Sequence, residues 1–201
     1  RIVEPLMGAG GAIPATAEFL RGLRELTRRL GILLIFDEVV TGFRLAWGGA
    51  AEYYGVTPDL AAYGKIIGGG YPLAAVAGRP EILSLTAPEA AEAGRFVFLS
   101  GTLNGNPVAC AAGFATLKEL KGPGVYGRLH RLGQKLRAGF AEVARRRGVA
   151  LRVLGDGPLA GVYFTPEPIR DQAGIERSDR ARLWRLNAEL LKAGILVNLS
   201  A

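Results

Sequence analysis

The chain has 201 residues, 49% of them hydrophobic and 21% charged, with a net charge of +7. That apolar content fills one good core or two small ones and excludes wholesale disorder, and no apolar run approaches the length needed to cross a bilayer. One cysteine, Cys110, excludes an intrachain disulfide and favours a reducing, cytoplasmic compartment, and with one histidine, His130, it cannot build a Cys/His zinc site.

In chain order, Ile2 to Pro5 reads as a strand end and Gly8 to Gly11 as a loop. Pro14 and Thr16 precede a predicted helix to about Leu30, with Phe19, Leu20, Leu23, Leu26 and Leu30 at helical spacing and Gly31 as its cap. Ile32 to Phe36 is a continuous apolar run, the pattern of a parallel strand buried on both faces. Strand, helix, strand in that order makes a βαβ unit. A short helix over 50–54, a strand over 59–63, a strand over 73–77 and a short helix from Pro80 follow. Residues 87–94 are expected to be a mobile surface segment, and Phe96 to Leu99 a short strand. Pro107 suits the first turn of a helix reaching about Leu120.

Gly122-Pro123-Gly124 marks a break. Beyond it, 126–147 is predicted as a long amphipathic helix with Leu129, Leu132, Leu136, Phe140 and Val143 on its apolar stripe. Strands over 151–154 and 158–164, an exposed loop over 170–175, a helix over 179–192 and a last strand over 195–199 complete the reading. Two domains follow: residues 1–121, part of a mostly parallel α/β domain, and 122–201, a smaller, truncated α+β domain. Arg1 to Pro5 reads as a strand already under way and Ser200-Ala201 closes nothing, so a truncated or internal piece of a longer protein is expected. The sequon-like Asn198-Leu199-Ser200 is read as a chance match.

Lys65 stands out chemically. It lies in Tyr63-Gly64-Lys65-Ile66-Ile67-Gly68-Gly69-Gly70, one cation in an apolar, glycine-dense stretch. Burial there would strip the ammonium of solvation and make the amine a nucleophile. Asp37 ends the apolar run at 32–36, at the strand end where open α/β sheets place their ligands. A reactive lysine with such an acid points to a carbonyl cofactor held as a Schiff base, the chemistry of pyridoxal phosphate (PLP), whose pyridine nitrogen an acid keeps protonated. Glu38 is read as a supporting group or a solvent-facing acid. Ser100-Gly101-Thr102, a tight turn before a helix, has the donors to bind phosphate. Gly8 to Gly11 lacks the dinucleotide-binding spacing, Gly64-Lys65 is not a P-loop, and no G-x-S-x-G elbow occurs.

Taken together, these segments resemble the class III (fold type I) PLP-dependent aminotransferases. The resemblance rests on Val3-Glu4-Pro5, Phe36-Asp37-Glu38-Val39-Val40-Thr41-Gly42-Phe43-Arg44, Pro58-Asp59-Leu60 with Gly64-Lys65, Gly68 to Pro72, and Ser100-Gly101-Thr102 through Gly105-Asn106-Pro107. The Val-Thr-Gly-Phe-Arg form and Gly-Lys-Ile-Ile-Gly-Gly-Gly look closest to the glutamate-1-semialdehyde aminomutase branch. The resemblance implies a PLP-transferase large domain followed by a small C-terminal domain. It implies that Lys65 carries the cofactor, Asp37 pairs with the pyridine nitrogen, and Val39 packs on the ring. Thr102 is implied to reach the phosphate of the neighbouring subunit of a homodimer. Val40 stands where many members carry a glutamine. Implied substrates are an amino acid or amine with a keto acid or semialdehyde. The family's first half is absent from these residues, so the fragment alone is expected to be inactive.

Two other readings compete. In one, the chain is a non-catalytic α/β module for a phosphorylated ligand, with Lys65 making only an ion pair. In the other, the +7 charge drives nucleic-acid binding. Its cations are spread along helix faces without interleaved aromatics, which argues against a nucleic-acid footprint, and no membrane partner is expected.

Overall fold

A computed structural model describes residues 1–92 and 94–197. The elements run β1 (Ile2–Val3), β2 (Leu6–Met7), β3 (Ile13–Pro14), α1 (Ala17–Arg29), β4 (Ile35–Glu38), α2 (Gly49–Tyr54), β5 (Leu60–Tyr63) and β6 (Ala75–Gly78). They continue with α3 (Pro80–Leu83), α4 (Glu89–Glu92), α5 (Pro107–Leu120), α6 (Val125–Arg146), β7 (Arg152–Leu154), β8 (Gly161–Tyr163), α7 (Gln172–Glu176) and α8 (Arg180–Lys192). Among the described residues, no helix is long and apolar enough to cross a membrane.

The chain divides into two compact units, residues 1–5 with 16–123, and residues 6–15 with 124–201. The division expected at residue 121 had placed 6–15 in the first unit. Their contacts put them in the second, because Ile13 and Met7 pack with Tyr163, Ile169, Ile175 and Leu154.

The first unit carries a four-stranded sheet in the order β1-β4-β5-β6. β1, β4 and β5 are parallel, whereas β6 is antiparallel to β5. The Thr16 hydroxyl caps α1 by accepting from Phe19 N at 3.1 Å, satisfying one donor of the helix start. Leu20 and Thr27 are its fully buried residues, and Phe19, Leu26 and Leu30 of the expected stripe are exposed.

The amino ends of β4 and β5 are tied by Asp59, which is buried. Its carboxylate accepts from Leu34 N at 2.8 Å, Arg24 Nη1 at 2.8 Å and Arg79 Nη1 at 3.1 Å, while Asp59 N donates to Leu34 O at 2.8 Å. Desolvation pushes this carboxyl up, but the Leu34 amide and the two guanidinium groups together outweigh it, and its pKa lies below the ordinary value.

The expected strand over Phe96–Leu99 is absent. Val97 N donates to Leu85 O at 2.8 Å, and all four residues are exposed. Residues 89–92 of the segment expected to be mobile form the short α4.

In the second unit, β7 and β8 pair antiparallel across the Gly155–Ala160 connection, over Val162 and Leu183 with Phe140 and Leu186. Helix α6 does not bury the predicted leucine stripe. Gly133 and Ala144 are its buried residues, and Leu132, Leu136 and Val143 are exposed. A Cβ at Gly133 would collide with Gly157 O, so the missing side chain lets the helix approach the connection. Arg137 donates to Gly157 O and Leu159 O, both at 2.7 Å, which satisfies carbonyls that the sheet leaves unpaired. The predicted exposed loop over 170–175 contains α7, whose start Asp171 caps and whose Gly174 and Ile175 are buried. Ile195 to Val197 form no strand, and the rest of that predicted strand and the sequon lie outside the described residues.

Tyr163 is buried and donates to Gly11 O at 2.6 Å. Burial pushes its hydroxyl up to about 12.

Two outcomes follow for stability. A depressed Asp59 contributes stability that is present above the unfolded carboxyl value of about 4 and is lost as pH falls through its lower folded value. Asp59→Asn therefore flattens the acid limb of a stability-against-pH curve and costs about 3 kcal/mol near neutrality, because Arg24 loses its counter-charge. A raised Tyr163 contributes stability that is present below pH about 10 and is lost as pH rises towards about 12. Tyr163→Phe removes that alkaline limb and costs about 1 kcal/mol at pH 7, both read by denaturant unfolding.

Candidate active site

Parallel pairing brings the two sequence-predicted groups to the same edge of the sheet. Asp37 is in register with Ala62 and Glu38 with Tyr63, so the chain leaving β5 enters Gly64-Lys65 beside the carboxyl end of β4. Along β4 the residues alternate half-buried and buried: Ile35, Phe36, Asp37, Glu38. Asp37 thus faces away from the side on which Phe36 and Glu38 are fully buried. Its Oδ1 accepts from Val39 N at 3.0 Å.

Lys65 opens a 3₁₀ turn, Lys65–Gly68, with φ +50. A left-handed lysine is strained by roughly 1 kcal/mol and survives only where its surroundings impose it. Helix α5 packs directly on this turn: a Cβ on Gly113 would lie 2.5 Å from Leu73 Cδ2 and 2.7 Å from Ile67 O. Contrary to the expectation of burial, Lys65 is exposed.

Val39 lies against Gly64, where a Cβ would stand 3.4 Å from Val39 Cγ1. A groove of about 630 Å³ runs from Val39, Ala62 and Tyr63 past Pro72 and Leu73 to Ser100 and Asn104. Val39 is the predicted residue in its lining. Asp37, Lys65 and Thr102 are not among the lining residues. Thr102 is exposed, in a turn closed by Asn104 N donating to Gly101 O at 2.9 Å. The start of α5 just beyond is capped by Asn106, whose Oδ1 accepts from Val108 N at 3.0 Å and Ala109 N at 3.1 Å. Asn106-Pro107 is a cap followed by a first-turn proline, a signal the sequence carried.

Glu38 is the residue whose importance the sequence understated. It is fully buried, not solvent-facing. Its Oε2 accepts from Thr41 Oγ1 at 2.7 Å and Ala50 N at 2.8 Å, and its Oε1 from Ala51 N at 2.9 Å. Phe43, within the loop so enclosed, packs on Trp47 at 5.3 Å and on Tyr63 at 5.4 Å between ring centroids. Burial first, and then the Glu38 charge, push the Tyr63 hydroxyl above its ordinary range.

This is an α/β scaffold with an acid, an amine and a groove gathered at the carboxyl ends of adjacent parallel strands. The family model of the class III aminotransferases matches residues 1–200. A glutamate-1-semialdehyde 2,1-aminomutase of Pelotomaculum thermopropionicum is 47% identical over 96% of this chain and 44% of its own length. An omega-transaminase from Sphaerobacter thermophilus superposes with a TM-score of 0.90 at 40% identity, over 99% of this chain and 45% of that one. A β-phenylalanine aminotransferase from Variovorax paradoxus gives 0.89 at 35% identity, over 100% and 47%. The chain belongs to the class III aminotransferases, enzymes whose cofactor is pyridoxal phosphate. It spans a little under half the length of the curated relatives it matches.

The Gly113 contact gives a direct check on what holds the lysine turn. Alanine is the better helix former by about 1 kcal/mol, yet Gly113→Ala is expected to destabilise by about 1–2 kcal/mol through overpacking on Ile67 and Leu73. Equilibrium denaturation reads the sign.

Proposed function

We propose that this chain is the lysine-bearing part of a pyridoxal-phosphate enzyme that moves an amino group, between an amine and a keto acid or within a single semialdehyde substrate. The observation that carries the reading is the β4–β5 register, which sets Asp37 at one strand end and the left-handed Lys65 just past its neighbour. The chemistry of the residues fits the cofactor: a carboxylate for a pyridinium nitrogen, a primary amine for the aldehyde, and the apolar Val39 for a ring face. Bound there, the cofactor supplies an electron sink for the substrate carbon that loses its proton.

In this reading Lys65 holds the cofactor as a Schiff base. Once freed by the incoming amine, its amino group would carry a proton between the substrate carbon and the cofactor. Asp37 keeps the ring nitrogen protonated, oriented by its hydrogen bond from Val39 N. Thr102 reaches the cofactor phosphate of a neighbouring subunit, which accords with its exposure in the turn before α5. The homodimer is supported by the exposed apolar side chains of Phe98, Leu99, Leu103, Val108 and Phe114, an unusual concentration for a free surface. Residues 1–121, apart from 6–15, belong to the large cofactor-binding domain, and 122–201 to the small C-terminal domain. A single cysteine accords with the cytoplasm.

The test is a visible spectrum of the full gene product with added PLP, beside Lys65→Ala. The expected result is an absorption band absent from the variant, which changes when an amino donor is added. Turnover of a semialdehyde without any keto acid identifies a mutase, and dependence on a keto acid identifies a transaminase. A protein that binds no PLP, or a band indifferent to Lys65, overturns the reading in favour of a phosphate-binding module.

A further inference from the structure

We propose that Glu38 is the positioning residue of this site: its buried carboxylate fixes the segment after β4 and, through it, both Asp37 and the Lys65 turn. The inference rests on the cofactor reading above for its consequence in catalysis, and on geometry for its mechanism.

Three donors converge on Glu38, one from a hydroxyl at 41 and two from the backbone at 50 and 51. Its own carbonyl accepts from Gly42 N at 2.8 Å. One residue therefore closes a loop of about ten residues at both its beginning and its end. The donors are amides and a hydroxyl, so the carboxylate is held by oriented dipoles, and removing it leaves buried N–H groups without partners. Gly49 makes room for it. This residue has φ +68, and a Cβ there would lie 2.5 Å from Oε2 and 2.7 Å from Oε1.

The loop so fixed touches the site twice. Val39 N, its first amide, is the donor that orients Asp37. Phe43, held at φ +57 within it, packs on Tyr63, two residues before Lys65. Val39 also lies against Gly64. Loosening Glu38 therefore moves the ring acid and the lysine turn together.

The experiment uses the full gene product with Glu38→Gln, which preserves volume and removes the charge and one acceptor. Gly49→Ala crowds the carboxylate from the opposite side, and Thr41→Val deletes one donor as a milder second variant. Amide hydrogen exchange on the cofactor-free proteins is read first. Glu38→Gln and Gly49→Ala are expected to speed exchange across 39–51 and also across 63–68, with Thr41→Val intermediate. In the loaded proteins, PLP affinity is expected to fall about tenfold for Glu38→Gln, with the absorption band displaced in the same direction as in Asp37→Asn. Faster exchange confined to 39–51, with affinity and band as in the wild type, makes Glu38 a purely structural residue and overturns the proposal. Unchanged exchange in all three variants does the same. If the wild type binds no PLP while exchange at 63–68 still responds, the cofactor reading fails and the hold of Glu38 on both segments stands.

Discussion

Strands β4 and β5 pair over only four residues each, and a buried carboxylate closes the pair at either end. Asp59 does so at the amino ends, where it joins Leu34 N to two guanidinium groups. Glu38 does so at the carboxyl ends, where a hydroxyl and two amides meet it. A four-residue parallel ladder gives few hydrogen bonds of its own, and parallel pairing is slightly weaker per residue than antiparallel. The register of the centre of this sheet therefore leans on charges taken out of water. Such charges cost several kcal/mol unless every lone pair finds a donor. The two ends solve this differently, Asp59 with counter-charges and Glu38 with dipoles.

That register is what makes a site. Asp37 and Lys65 are far apart in sequence and belong to different strand ends. The register sets them at one edge of the sheet, because Asp37 lies opposite Ala62 and Lys65 follows three residues later. Helix α5 packs against that turn, in which Lys65 takes a left-handed conformation that lysine does not choose for itself. The exposure of Lys65 and the apolar side chains around Phe98 and Phe114 belong to the same picture. The 201 residues bring Asp37 and Lys65 to one edge of the sheet, in a chain that spans under half the length of the curated relatives it matches.

Candidate groups were more conspicuous in the sequence than the packing. Asp37, Lys65 and the turn at Ser100-Gly101-Thr102 announce themselves because a charge or hydroxyl among glycines and apolar residues is locally conspicuous. Helix starts at Thr16, Asn106-Pro107 and Asp179 were readable for the same reason, since a cap is a local interaction. Periodicity misled where a distant backbone decided the outcome. The leucines of α6 fit an apolar stripe, but the unpaired carbonyls at Gly157 and Leu159 draw in Gly133 and Arg137. Phe96 to Leu99 has a strand's composition, yet it pairs with no strand, and composition alone makes no ladder. The membership of residues 6–15 in the second unit depends on Tyr163 and Ile175, more than 140 residues further along.

Asp37 and Glu38 show why a strand end can serve two masters. Adjacent residues on a strand face opposite sides, so in the proposed reading one carboxylate is offered to a ligand while the other is given to the scaffold. A slip of β4 by one residue would exchange them. Glu38 would then present a longer side chain at the ligand face, and Asp37, one methylene shorter, would be left to reach amides at 50 and 51 that Glu38 meets at 2.8 and 2.9 Å. The slip would also carry Leu34 N away from the Asp59 carboxylate. Both ends penalise the same error, so the two buried carboxylates select the register as well as stabilising it. On the proposed reading the paired acids of Asp37-Glu38 are thus a single device, in which the second carboxylate fixes the register that sets the first at the ligand face.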